Sequence, residues 1–244
     1  MRHVTTTQLT ERAAPMTATV FPPIPAPILP ISGEEAGFPV HRIFCVGRNY
    51  ADHAAEMGHE VDREAPFYFT KSAHTVLHSG QDSPYPPRTN DFHHEMELVV
   101  AIGKGGKNIA LDDAMDHVFG YAASLDMTRR DLQAQAKDKR RPWDTSKDFE
   151  NGAVIAPLVR AENMSDLPTT RMTLTVNGKV RQDTTFDLMV WSIPEIIADL
   201  STLYTLQPGD IIMTGTPAGV APVVKGDVLE GRVGDLPPVK TTIV

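Results

Sequence analysis

Two acidic side chains, separated by one residue, are the first candidates for chemistry in this chain. Glu95 and Glu97 lie in the stretch 92–102, where apolar and polar residues alternate as in a β-strand. In a strand they project from one face, where two carboxylates repel each other unless protons or a cation neutralise them. Carboxylate oxygens are ligands that suit Mg²⁺ or Mn²⁺. The pattern indicates either a metal site or a solvated polar face, which is commoner for a bare Glu-x-Glu.

A third acidic residue, Asp126, ends the apolar run 120–126 just before a predicted helix. It is either a further metal ligand or a helix-capping residue. The spacing of Thr128 and Asp131 predicts a capped helix at about 129–138.

His53 and Glu56 are three residues apart on a short helix predicted at 49–57 and closed by Gly58. A carboxylate beside an imidazole fixes its tautomer and stabilises its charged form, as a general base requires. An exposed pair without a role fits the same spacing. Arg48, just before the helix, can clamp a carboxylate or form a surface ion pair.

Two lysines follow aromatic residues, and one loop is rich in glycine. Lys71 and Lys147 are either buried lysines of lowered pKa or ordinary surface lysines whose stems pack on apolar neighbours. Thr216 belongs to the loop 214–219, whose backbone amides can hold a carboxylate or form a simple turn.

The elements that must position these residues are mostly short strands. Asn177-Gly178 predicts a hairpin between strands at 171–176 and 179–185. Residues 193–203 have the spacing of an amphipathic helix. Many strands, few helices and no alternation of strand and helix predict an α+β, mainly β, fold.

Composition and charge indicate the domain organisation and the kinds of ligand that the protein can bind. Six prolines between Pro15 and Pro30 predict an extended arm, so we divide the chain into a Pro-rich arm, 1–40, and one main domain, 41–244. The formal net charge of −8 argues against a nucleic-acid binder. An anionic substrate therefore needs a metal ion or a local positive pocket. The single cysteine, Cys45, and the poor signal peptide predict a cytoplasmic protein.

Taken in order, these motifs resemble the fumarylacetoacetate hydrolase family over about residues 41–240. The motifs that carry the resemblance are Cys45-Val46-Gly47-Arg48-Asn49-Tyr50-Ala51-Asp52-His53, His94-Glu95-Met96-Glu97-Leu98, Ser124-Leu125-Asp126-Met127-Thr128-Arg129-Arg130-Asp131, Lys147-Asp148-Phe149 and Thr214-Gly215-Thr216-Pro217. The stretch 38–58 looks most like the bacterial members that act on fumarylpyruvate in gentisate breakdown.

The resemblance implies a mixed β-sandwich or roll with a few short helices, usually dimeric. It also implies a metal site for Mg²⁺ or Mn²⁺ at Glu95, Glu97 and Asp126, and a dyad of His53 and Glu56 on a lid helix. Further family positions around the substrate match Arg48, Lys71, Arg130, Gln133, Lys147 and Thr216. Among these, Lys147 is expected to stabilise charge during catalysis. His93 and His94, which precede the first glutamate, are expected to be supporting or surface groups.

The expected reaction is hydrolysis of a carbon–carbon bond in a 2,4-dioxo acid, namely 3-fumarylpyruvate to fumarate and pyruvate. The alternatives are hydrolysis of another acylpyruvate, decarboxylation of oxaloacetate in the same fold, and a non-enzymatic, metal-stabilised binding module. For the distal carboxylate of the substrate, the sequence offers Arg140, Arg141 and the lid as candidates.

Overall fold

The computed structural model describes residues 19–56, 63–164 and 166–244. The helices are α1 (Ala51–Glu56), α2 (Arg130–Asp138), α3 (Asp144–Lys147) and α4 (Ile193–Leu203). The strands are β1 (Ile28–Pro30), β2 (Gly37–Pro39), β3 (Ile43–Gly47), β4 (Phe67–Lys71), β5 (Val76–His78), β6 (Phe92–His94), β7 (Met96–Ile102), β8 (Val118–Asp126), β9 (Thr128–Arg129), β10 (Ala153–Ile155), β11 (Val159–Arg160), β12 (Arg171–Val176), β13 (Lys179–Thr185), β14 (Ile211–Met213), β15 (Ala221–Pro222), β16 (Val228–Val233) and β17 (Val239–Thr242).

The strands form one large mixed sheet and three smaller sheets. The large sheet has the order β4-β3-β14-β7-β8-β10-β5, with β11 beside β8. The pairs β3–β14 and β5–β10 are parallel, whereas β7 and β8 are antiparallel. A second sheet has the order β13-β12-β16-β17, and smaller sheets join β15, β6 and β9 and pair β1 with β2. This arrangement confirms the predicted α+β, mainly β, fold.

The core lies on both faces of β7, at the centre of the large sheet. Its even-numbered residues, such as Leu98, pack in one apolar cluster with Leu174 and Leu229 of the second sheet. Its odd-numbered residues, such as Val99, belong to a second cluster. At Gly231 a Cβ atom would lie 2.3 Å from the sulfur of Met96, so the two sheets pack closely there. The strand that carries Glu97 is therefore buried on both sides and is not a solvated surface strand.

The described part of the predicted arm ends in a short hairpin that packs on the sheet. Residues 19–27 form no regular helix or strand, and β1 and β2 make a short antiparallel hairpin. Leu29 and Phe38 of this hairpin are buried in the same cluster as Ile43. The domain boundary at residue 40 stays a prediction.

The helices largely follow the sequence pattern, with two differences at their starts. The helix α4 has the predicted bounds, and Ser192 and Glu195 form a capping box. The helix α1 begins at Ala51, later than predicted, and the predicted cap Gly58 lies outside the described residues. The predicted cap of α2 is wrong, because the Thr128 hydroxyl contacts Lys147 instead of the helix.

No helix in the described part of the chain is long and apolar enough to cross a membrane.

Candidate active site

Three buried carboxylates converge where β7 and β8 run side by side. Glu97 lies on β7, Asp126 is the last residue of β8, and Glu95 occupies the break between β6 and β7. The backbone N–H of Asp126 donates to the carbonyl of Glu95 at 2.8 Å, which ties the two segments together. One oxygen from each carboxylate lies within 4.8 Å of the others. The predicted metal ligands therefore meet in one place.

Lys147 and Arg130 each neutralise part of this negative charge. Lys147 Nζ donates to Glu95 Oε2 and Asp126 Oδ2, each at 2.6 Å, and to Thr128 Oγ1 at 2.7 Å. Burial alone lowers the pKa of Lys147, but the charges of Asp126 and Glu95 outweigh it and raise the pKa. Arg130 donates to Glu95 Oε1. Burial is the largest single influence on Glu95 and raises its pKa, but the charges of Lys147, Arg130 and His53 together lower it below its ordinary value.

The remaining carboxylate atoms fit a divalent cation. Burial, together with the charges of Asp126 and Glu95, raises the pKa of Glu97 well above its ordinary value. Asp126 Oδ1 forms an ion pair with Lys71 Nζ at 2.8 Å, whereas Glu97 has no ion pair with the described residues. Buried negative charge of this kind is costly unless a cation compensates it. The donor set of three carboxylates suits Mg²⁺ or Mn²⁺.

Lys71 lies behind the carboxylates and does not line the cavity in front of them. Its ammonium group donates to the backbone carbonyls of Gly152 at 3.0 Å, Met127 at 3.3 Å, and Lys147. It thereby ties Asp126 to the segment that carries Lys147. Direct contact of Lys71 with substrate stays a prediction, and its contacts are those of a positioning residue.

His53 and Glu56 form the opposite wall on α1. His53 is buried, and its Nδ1 lies 3.5 Å from Glu56 Oε2 without a hydrogen bond to the described residues. Burial is the largest influence on the imidazole and lowers its pKa. The imidazole is therefore neutral at neutral pH, which is the form that accepts a proton. Both Glu56 oxygens accept from the N–H of Gly219, the nearer at 3.1 Å.

The loop 214–219 joins the two walls. The N–H of Gly215 donates to Glu97 Oε2 at 2.8 Å. Gly215 has a φ of +97°, and a Cβ there would lie 2.7 Å from Asn49 Cβ, so a larger residue would displace the loop. The Asn49 side chain donates to the carbonyl of Thr214 at 2.8 Å. Thr216 Oγ1 accepts from Gln182 Nε2 at 2.8 Å. These hydrogen bonds hold the loop against both walls.

The two walls and α2 enclose a cavity of about 30 Å³, which has room for about one water molecule. The predicted residues that line it are Arg48, His53, Glu95, Glu97, Arg130, Gln133, Lys147 and Thr216. Asp126, Glu56 and Lys71 do not line it, although each contacts a residue that does. The structure thus brings the predicted site residues together around one cavity.

Sequence reasoning missed Lys137, which lines this cavity together with Phe69 and Trp143. Burial is the main cause that lowers the Lys137 pKa to about 8, and the charges of Arg130 and Arg48 add to it. The signal was present, since Arg130, Gln133 and Lys137 have the spacing of one helix face. Neither Arg140 nor Arg141 lines the cavity.

The two histidines before Glu95 support neighbouring side chains. His94 is buried, its Nδ1 lies 3.1 Å from Gln182 Oε1, and burial lowers its pKa to about 4. Arg130 Nε donates to His93 Nδ1 at 3.5 Å. Both contacts agree with the supporting role expected from the sequence.

Residues 42–244 match the family model described as fumarylacetoacetate (FAA) hydrolase, C-terminal. The chain belongs to the fumarylacetoacetate hydrolase family. It is 50% identical over 189 residues to a fumarylpyruvate hydrolase of a Ralstonia species, which covers 77% of this chain and 98% of the relative. It is also 40% identical over 190 residues to a mitochondrial oxaloacetate decarboxylase of Dictyostelium discoideum, covering 78% of this chain and 87% of the relative. The crystal structure of the Pseudomonas aeruginosa fumarylpyruvate hydrolase, in complex with Mn²⁺ and pyruvate, superimposes with a TM-score of 0.90 at 42% identity, covering 93% of this chain and 99% of that one.

Proposed function

We propose that this protein is a metal-dependent hydrolase that cleaves a carbon–carbon bond in 3-fumarylpyruvate, releasing fumarate and pyruvate. The observation that carries the proposal is a buried three-carboxylate site facing a neutral, buried histidine across one cavity. The identity of 50% with a fumarylpyruvate hydrolase supports the choice of substrate.

The residues that would hold Mg²⁺ or Mn²⁺ are Glu95, Glu97 and Asp126. When bound, the ion acts as a Lewis acid that polarises a substrate oxygen and stabilises negative charge. Lys147 donates to two of these carboxylates, so it lies beside the ion's ligands. In this proposal the Lys147 ammonium group stabilises the negative charge of the departing pyruvate enolate.

His53 is the general base in this proposal. Its neutral imidazole takes a proton from the water that adds to the C4 carbonyl, and the charge of Glu56 favours the imidazolium that results. The bond between C3 and C4 then breaks to release fumarate, and the enolate takes the proton back from the His53 imidazolium to become pyruvate. The Glu56 contact with Gly219 keeps α1 against the loop that also holds Glu97.

Substrate entry requires the cavity to enlarge. At about 30 Å³ it is far smaller than the roughly 300–1,000 Å³ of ordinary ligand sites. The helix α1 is six residues long and connects to 57–62, outside the described residues. The family resemblance implies that α1 is a lid helix, and at residue 63 the Arg63 guanidinium forms an ion pair of 2.6 Å with Glu195. Breaking this exposed pair costs little, which suits a moving lid.

Decarboxylation of oxaloacetate is the second candidate, supported by the Dictyostelium relative. This reaction needs the same stabilised pyruvate enolate but no attacking water. Loss of His53 therefore affects decarboxylation less than hydrolysis, which separates the two activities.

The test compares kcat/KM of the Mn²⁺-loaded protein for 3-fumarylpyruvate, acetylpyruvate and oxaloacetate. The proposal predicts the highest value for 3-fumarylpyruvate and its loss in His53→Ala. A higher kcat/KM for oxaloacetate that survives His53→Ala would assign the protein to the decarboxylases.

We also infer, from the family resemblance, that the chain is a cytoplasmic homodimer acting in gentisate breakdown. Light scattering after size-exclusion chromatography tests the assembly, and a mass of about 27 kDa, that of one chain, would contradict a dimer.

A further inference from the structure

One face of α2 leads from the carboxylates to an additional cation. Arg130, Gln133 and Lys137 all line the cavity, and Arg130 donates to Glu95 and to Gln133 Oε1. Lys137 lies seven residues beyond Arg130, about 10 Å along the helix axis. The helix therefore presents cationic groups at two separate points of the same cavity.

The charge of Lys137 is not balanced by an ion pair of the kind that Arg130 and Lys147 form. Arg130 and Lys147 form ion pairs with Glu95, whereas Lys137 has no ion pair and no side-chain hydrogen bond with the residues that the structure describes. Its charged neighbours include Arg130 and Arg48, whose repulsion adds to burial in lowering its pKa to about 8. A bound anion at this point relieves that repulsion.

Aromatic rings hold Lys137 and Arg48 at this point. Lys137 Nζ lies 5.1 Å from the centre of the Trp143 ring, and the Arg48 guanidinium lies 5.8 Å from that of Phe67. The two rings meet edge to face with their centres 5.0 Å apart. Two cations thus share one pair of aromatic rings, and Arg48, Lys137 and Trp143 line the cavity of His53.

We propose that Lys137, with Arg48, binds the substrate carboxylate remote from the metal ligands, so that acylpyruvates with an acidic acyl group are preferred. The inference rests on the proposed hydrolase function. In extended 3-fumarylpyruvate the two carboxylate carbons are about 7 Å apart, given carbon–carbon bonds near 1.5 Å. That length fits the α2 face between Arg130 and Lys137. The flat unsaturated acyl group can pack against Trp143.

The test measures kcat/KM of Mn²⁺-loaded Lys137→Gln for 3-fumarylpyruvate and for acetylpyruvate, which lacks the second carboxylate. Loss of a charge-assisted hydrogen bond should lower the value for 3-fumarylpyruvate about 10- to 100-fold, mainly through KM. The value for acetylpyruvate should stay within about threefold, which also shows that the variant folds. Lys137→Arg should restore most of the preference. Lys139→Gln is the matched control, because Lys139 is exposed and lines a different cavity.

Several outcomes would overturn the assignment. An equal loss for both acids, or an unchanged preference, removes Lys137 from the distal subsite. Selective loss in Arg141→Gln but not in Lys137→Gln would place the subsite at Arg141. If the wild-type protein hydrolyses acetylpyruvate and 3-fumarylpyruvate with equal kcat/KM, the subsite is refuted but the proposed hydrolase function is not. One that hydrolyses neither refutes the proposed function and the subsite with it.

Discussion

The two walls of the cavity differ in the number of side-chain contacts and the kind of secondary structure that hold them in place. The carboxylate wall stands on β7 and β8, and Asp126 is reached by both Lys147 and Lys71. The opposite wall is the six-residue helix α1, where Glu56 accepts from one backbone N–H and His53 Nδ1 has no hydrogen-bond partner among the described residues. Central strands of the large sheet fix one wall, whereas the contacts of a six-residue helix hold the other.

This difference matches the two tasks that the site must perform. A metal ion needs ligands that keep their geometry, which buried, multiply bonded side chains provide. A general base must come close to the substrate after it has entered, which a short helix on a loop permits. Variants on the two walls should therefore fail in different ways.

The largest effect is expected from Glu95→Gln on the carboxylate wall. The change removes a metal ligand and the charge that pairs with Lys147 and Arg130. Activity should fall below detection because Mn²⁺ binding is lost, as measured by calorimetry alongside turnover. Near-normal activity with Mn²⁺ bound would remove Glu95 from the ligand set.

The next largest effect is expected from His53→Ala on the helical wall. Removal of a general base should lower kcat about 10²- to 10⁴-fold. Steady-state kinetics at saturating Mn²⁺ measures this loss. Hydrolysis of 3-fumarylpyruvate at the parent rate would show that another group takes the proton.

Lys71→Met tests how strongly the carboxylate wall is built into the fold. The change removes the ion pair with Asp126 Oδ1 and the hydrogen bonds to the carbonyls of Gly152 and Met127. The free energy of unfolding should fall by about 3 kcal/mol, measured by denaturant titration. Lys179→Met, at an exposed position on β13, is the control and should change it by less than about 0.5 kcal/mol. Equal stability of the two variants would contradict the positioning role of Lys71.

The smallest effect is a displacement of the acidic limb of the pH profile. Burial lowers the pKa of His53 below its usual 6.5, and Arg130 acts in the same direction, whereas Glu95 and Glu56 raise it less. Activity that needs the neutral imidazole is lost as the pH falls through this lowered pKa. The limb of kcat/KM at saturating Mn²⁺ should therefore lie below pH 6.5. A limb at or above 6.5 would indicate an exposed histidine or another base.

The sequence predicted the reacting groups better than the groups that position them. Glu95, Glu97, Asp126 and His53 lie in motifs whose spacing carries chemical meaning, and the structure brings them together. The sequence left open a solvated strand face at Glu97. The structure excludes this alternative, because residues distant in sequence cover both faces of the strand.

The positioning residues are harder to predict because they act through distant backbone. Lys71 bonds to carbonyls 56 to 81 residues away, and Gln182 reaches Thr216 from another sheet. Lys137 had the helical spacing, but Trp143 and Arg48, which lie beside it, come from other parts of the chain. Such contacts exist only after the sheets have assembled.

The division of labour between the two walls is tested most directly by titrating Mn²⁺ into His53→Ala and Glu95→Gln in parallel. The Kd of His53→Ala should stay within about threefold of the wild-type value, while that of Glu95→Gln should weaken at least about 100-fold. Loss of Mn²⁺ binding in His53→Ala, or its retention in Glu95→Gln, would contradict a metal held by the carboxylate wall alone.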